Sequence, residues 1–217
     1  MNLPNALTLL RIFFVPLLVA VLVQEPGEFA VGPWRTGNDM VALAIFLAAA
    51  FTDLVDGWLA RRWNQITTVG MLLDPIADKL LISAALIALV QIQRVPGWMA
   101  VLIVGREFAV SGLRSIAAGE GYTIQATDLG KTKMVLQVAS VVLVLLAVRH
   151  PALEPMAVGA LWGAMLFALV SAADYFRKFW RELDEKIKAR RRIELLQLES
   201  ERRREARQQA RARRAQS

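Results

Sequence analysis

Four aspartates, Asp53, Asp56, Asp74 and Asp78, stand in the stretch 51-FTDLVDGWLARRWNQITTVGMLLDPIADKLL-81, whose other residues are largely apolar. Burial and like charge both oppose ionisation of a carboxylate, so a cluster of this kind needs compensation. Arg61 and Lys79 are at hand and balance half of the charge. A divalent cation would supply the rest. Oxygen ligands with no nearby His or Cys suit Mg²⁺, Mn²⁺ or Ca²⁺ rather than zinc. Mg²⁺ commonly keeps a substrate phosphate in its shell, which points to phosphate chemistry. Two other readings fit the same residues: interfacial caps or ion-pair partners, and a proton or cation pathway.

The spacing says how these groups are carried. On a helix, Asp53 and Asp56 share one face, and Gly57 and Ala60 continue that stripe. Asp74 and Asp78 are four apart, with Gly70 four earlier, on one face of the next helix. The short connection 61–69 makes the two helices antiparallel neighbours whose carboxylates can face a common space. Gly57, Ala60 and Gly70 leave room there for a close backbone or a ligand. Pro75 either kinks the second helix or opens a helix capped by Asp74.

Basic residues form a second set. Arg106 and Arg114 are eight apart, about 80° around a helix, and Arg106 follows the apolar run 101-VLIVG-105. With Lys131 and Lys133 they can form an anion pocket, because arginine matches phosphate oxygens in a bidentate way. The alternative for all four is topology-setting charge. Asn5, Thr8 and Arg11 lie three apart on one helical face near the start, as a cap with a snorkelling arginine or as lining of a site.

The elements that must carry these residues are apolar helices. The chain has 217 residues, is 56% hydrophobic and has mean hydropathy +0.42. It has no cysteine and a single histidine, His150, which removes disulfides, thiolate nucleophiles and Cys-based metal sites. Runs near 20 apolar residues match the thickness of a bilayer core. The pattern predicts an all-α integral membrane protein with six transmembrane helices at about 4–23, 39–60, 70–92, 96–117, 130–148 and 155–176. The Lys/Arg distribution then puts both termini and the aspartate-bearing helix ends in the cytoplasm.

Net charge is +7, and it resides in the tail: residues 177–217 hold 15 basic and 7 acidic residues. This segment predicts a basic helical C-terminal tail, separate from a membrane domain over 1–176. Phe176, Leu183 and Ile187 recur at helical spacing and can lie along a membrane surface. No aromatic interleaving among the basic residues points to nucleic acid, and none is expected as a partner.

The run Asp53-x-x-Asp56-Gly57-x-x-Ala60-Arg61, eight residues, then Gly70-x-x-x-Asp74-x-x-x-Asp78 resembles the signature of the CDP-alcohol phosphotransferases. Further segments, 4-PNALTLLR-11, 74-DPIADK-79, 106-REFAVSGLR-114 and 130-GKTKMVLQ-137, look like its bacterial phosphatidylglycerophosphate synthase branch. The resemblance covers roughly the first five helices. It implies a homodimer in the bacterial inner (cytoplasmic) membrane, multi-pass, with the active site at the cytoplasmic interface. It implies transfer of a phosphatidyl group from CDP-diacylglycerol to sn-glycerol 3-phosphate, with release of CMP. By the same resemblance Asp53, Asp56, Asp74 and Asp78 would bind two Mg²⁺ or Mn²⁺ ions. Asp78 would take the proton of the attacking hydroxyl. Gly57, Ala60, Arg61 and Gly70, with Asn5 and Thr8, would bind CDP-diacylglycerol. Arg106, Arg114, Lys131 and Lys133 would hold the acceptor phosphate. Inositol phosphate, serine or phosphatidylglycerol are the alternative acceptors, and a carboxylate-based ion or proton transporter is the alternative class.

Overall fold

The computed structural model describes the backbone over residues 3–24, 28–31, 34–63, 68–120 and 129–215. Side chains are described within those ranges except at 3–5, 28–31, 34–36, 54, 56–63, 68–75, 129–133, 190 and 200–215. Six α-helices form where the apolar segments predict them: α1 (Leu3–Val23), α2 (Asn38–Trp63), α3 (Thr68–Gln91), α4 (Gly97–Gly119), α5 (Leu129–Arg149) and α6 (Glu154–Ala215). The sixth is not cut at residue 176. It runs on through the charged segment, which is rich in the straight-chain residues that favour helix.

α3 is continuous across Pro75, so Gly70, Asp74 and Asp78 belong to one helix. It stops at a turn in which Gln93 takes a left-handed conformation, φ 60°. There the Arg94 amide donates to the Leu89 carbonyl at 2.9 Å and the Gln93 amide to the Val90 carbonyl at 3.0 Å. These bonds satisfy carbonyls that the helix end would leave open. α5 passes to α6 through a 3-10 turn at Pro151–Leu153, where the Leu153 amide donates to the His150 carbonyl.

α1 packs on both α2 and α3, which among the described residues touch each other less. The sequence spacing predicts α2 and α3 as neighbours, and they do meet, with the first helix packed on both. α4 and α5 both pack on α6, and α5 also meets α2. The core joining these groups includes Leu18, Phe46, Leu86, Leu89, Ile103 and Leu145, all essentially buried. Alanines such as Ala42, Ala49, Ala85 and Ala88 line the same core and let helix axes approach. A two-stranded antiparallel hairpin, β1 (Glu28–Val31) and β2 (Trp34–Gly37), links α1 to α2. The all-α reading did not foresee it.

The prediction of six membrane-crossing helices, and with it a multi-pass inner-membrane protein with both termini cytoplasmic, is overturned. Among the described residues two helices are long and apolar enough to cross a bilayer, one over Ala6–Val23 and one within Pro151–Glu199. In α4 the reason is the placement of charged side chains, because Arg106, Glu107 and Arg114 divide its apolar run. Among the described residues the apolar stretch in α5 is a shorter one, Met134–Arg149.

Candidate active site

The two described aspartates of the motif meet on a residue from the first helix. Asp53 lies on α2, Asp78 on α3, and Arg11 projects from α1 between them. Arg11 Nη2 lies 3.0 Å from Asp53 Oδ1, and Arg11 Nη1 donates to Asp78 Oδ1. The Arg11 side chain is 0% exposed, whereas Asp53 is 20% and Asp78 36% exposed. The guanidinium thus forms the floor, and the carboxylates open outward from it.

Each helix supplies its part through local order. Thr8, one turn before Arg11, is buried on the same face of α1. In α2, the Thr52 hydroxyl donates to the Ala49 carbonyl at 2.7 Å, one residue before Asp53. In α3, Ala77 and Leu81 are buried on either side of Asp78 in the chain, which fixes the helix face from which Asp78 leaves.

A buried arginine between carboxylates is understandable as electrostatics. A fully enclosed guanidinium is expensive unless paired, and its forked donors reach two acceptors at once. Sequence spacing missed this residue as the partner of the acidic cluster, assigning that task to Arg61 and Lys79. The signal was present: a charged residue inside the apolar run 9-LLRIFFVPLL-18.

The side chains of Asp56 and Asp74 lie outside the described residues, as do those of Asn5, Gly57, Ala60, Arg61, Gly70, Lys131 and Lys133. Among the described residues no group of three or more potential metal ligands occurs. Asp53 and Asp78 carry hard oxygen donors of the kind a divalent ion takes, and one oxygen of each is paired with Arg11.

The predicted anion-binding arginines sit in a second cluster, built by α4, α5 and α6. Arg106 is 7% exposed, and its Nε donates to the Ala168 carbonyl of α6 at 3.4 Å. Its Nη2 lies 3.3 Å from Glu107 Oε1, which also accepts from Gln137 Nε2 of α5 at 3.2 Å. Burial pulls the Arg106 guanidinium below its usual value, Glu107 opposes this, and the Arg114 charge adds to the lowering. Arg114 is exposed, with its guanidinium carbon 5.9 Å from the centre of the Tyr175 ring on α6.

This arrangement combines acidic oxygens around a cationic centre with a separate set of guanidinium groups, and the comparisons with known proteins agree on what kind of chain carries it. Residues 1–170 match the model of the CDP-alcohol phosphatidyltransferase family. The chain is 42% identical over 190 residues to the CDP-diacylglycerol–glycerol-3-phosphate 3-phosphatidyltransferase of Bacillus subtilis, covering 84% of this chain and 97% of that protein. It is 32% identical over 180 residues to the protein of the same name from Rickettsia bellii, covering 81% and 94%. It is also 34% identical over 203 residues to a cardiolipin synthase (CMP-forming) of Oryza sativa subsp. japonica, covering 84% of this chain and 59% of that protein. The chain belongs to the CDP-alcohol phosphatidyltransferase family.

Proposed function

We propose that the protein transfers a phosphatidyl group from CDP-diacylglycerol to sn-glycerol 3-phosphate, giving phosphatidylglycerophosphate and CMP. The observation that carries this reading is the similarity to the Bacillus subtilis transferase along nearly that protein's whole length. The convergence of Asp53 and Asp78 on Arg11 supports it from the side of the chemistry.

In this reading Asp53, Asp56, Asp74 and Asp78 hold divalent ions, Mg²⁺ or Mn²⁺. A divalent ion held there would supply positive charge to offset that of the donor pyrophosphate and of departing CMP. Arg11 fixes the orientation of Asp53 and Asp78. Asp78, the more open of those two, takes the proton from the acceptor hydroxyl. The acceptor oxygen forms a bond to the phosphatidyl phosphorus, the bond from that phosphorus to the bridging oxygen breaks, and CMP leaves with the electron pair. Gly57, Ala60, Arg61 and Gly70, with Asn5 and Thr8, hold the nucleotide end of the donor. The phosphate of glycerol 3-phosphate takes no part in bond breaking, so it serves as a handle. Arg106, Arg114, Lys131 and Lys133 are the residues for it. Large apolar side chains that face outward, among them Phe13, Phe51 and Val101, suit contact with the lipid in which the donor resides.

A second reading keeps the donor and changes the acceptor to phosphatidylglycerol, and the similarity to the rice protein favours it. The experiment is CMP release by purified protein given CDP-diacylglycerol with glycerol 3-phosphate, inositol phosphate, serine or phosphatidylglycerol in turn. Release with glycerol 3-phosphate alone is expected. Release with phosphatidylglycerol and none with glycerol 3-phosphate would reverse the order of the two readings.

A further inference from the structure

Arg11 carries a permanent positive charge into the floor of an acidic site. Its side chain is 0% exposed, and its two terminal nitrogens meet one oxygen each of Asp53 and Asp78. Arginine stays protonated wherever a protein places it, so the charge cannot be shed. The side chain is also held in place: Thr8 and Leu18, one turn before and two turns after it on the same face of α1, are buried, and α1 packs on both α2 and α3. A neutral amide, with two N–H donors, could orient the same two carboxylates. Orientation alone therefore accounts for the hydrogen bonding and leaves the charge unexplained.

The charge matters for what the carboxylates bind. Asp53, Asp56, Asp74 and Asp78 bring four negative charges to the motif. Two divalent ions would cancel them outright. With the guanidinium counted, the same two ions leave one positive charge in excess. Beside a fully enclosed guanidinium such an excess is poorly screened and costly. The pyrophosphate diester of a CDP-linked donor carries two negative charges and removes the excess. Uptake of the ions is then favoured with the donor and resisted without it.

We propose that Arg11 is a built-in counter-charge that couples divalent-ion binding to donor binding, so that the site takes its full complement of ions together with the pyrophosphate. The proposal rests on the phosphatidyl-transfer reading above and gives Arg11 a task beyond orienting Asp53 and Asp78. The coupling is reciprocal: the donor strengthens ion binding by the factor with which the ions strengthen donor binding.

The test is calorimetric titration of the purified protein with Mn²⁺, with and without CDP-diacylglycerol in the same micelles, no acceptor present, and a protein-free control subtracted. The donor is expected to lower the wild-type Kd for Mn²⁺ about tenfold or more, within the usual range for coupled sites. Arg11→Gln keeps two donors and removes the charge. Without donor it is expected to bind Mn²⁺ about tenfold or more tightly than wild type, because one repelling charge is gone. Its response to the donor should shrink accordingly. Arg11→Lys keeps the charge and should keep the coupling to within about threefold, since the coupling factor follows charge rather than the fork. Wild-type protein whose Mn²⁺ affinity ignores the donor overturns the proposal. So does Arg11→Gln that binds Mn²⁺ no more tightly than wild type, or, should that variant not fold, Arg11→Lys that has lost the coupling. Wild-type protein that shows the coupling but releases no CMP with glycerol 3-phosphate rejects the proposed function and leaves this inference supported.

Discussion

Asp53 and Asp78, carried by different helices, share one guanidinium: Arg11 Nη2 lies 3.0 Å from Asp53 Oδ1 while Nη1 donates to Asp78 Oδ1. The consequence is that the acidic site depends on three helices. α2 and α3 bring the carboxylates, and α1 brings the guanidinium that both of them meet. A change in α1 is therefore a change in the site.

Replacing Arg11 by alanine should remove both contacts and leave two carboxylates without their common partner. The expected loss of stability is on the order of 3 kcal/mol, toward the low end for broken buried pairs because Asp78 is partly open. CMP release should fall with it. Arg11→Lys should recover part of the stability and little of the activity, since an ammonium restores charge without the fork that spans both acceptors. Thermal unfolding and activity of the two variants check this. Full activity in Arg11→Lys would show that only charge matters.

Glu107 forms an ion pair with Arg106 and accepts from Gln137, tying α4 to α5 next to a buried guanidinium. Glu107→Gln keeps the size and removes the charge. The expected cost is about 1–3 kcal/mol, the range for leaving a buried polar group poorly satisfied. The readout is a lowered melting temperature, without any change in the donor substrate's KM.

Phe46 is completely buried where α2 meets the common core. Phe46→Ala should cost about 3–5 kcal/mol through lost burial and the cavity left behind. Differential scanning of the purified protein reads this directly. A small effect would mean that the α2 packing around it can collapse.

Much of the fold was legible because apolar runs and their interruptions mark helices wherever they occur. The starts and ends of α1 through α5 follow those runs closely. The spacing of Asp53, Asp56, Asp74 and Asp78 was legible for the same reason, since positions three or four apart on a helix share a face. The partnership of Arg11 was not. Helical spacing reports neighbours on one helix, and Arg11 reaches its partners across two others. Where charged residues divide an apolar run, as Arg106, Glu107 and Arg114 divide α4, a run of helical length is not a membrane-crossing one. The hairpin at Glu28–Gly37 consists of two four-residue strands, too short for alternation to stand out.

The most direct measurement follows the acceptor itself. Purified protein is given CDP-diacylglycerol, Mg²⁺ and radiolabelled glycerol 3-phosphate, and label entering the lipid phase is compared with CMP released, for wild type and for Asp78→Asn. One label should enter lipid for each CMP formed. Chelator should stop both, and Asp78→Asn should lower the rate by about a hundredfold or more, as expected when a positioned proton acceptor is lost. CMP formed without label in lipid, or an Asp78→Asn enzyme as fast as wild type, would contradict the account.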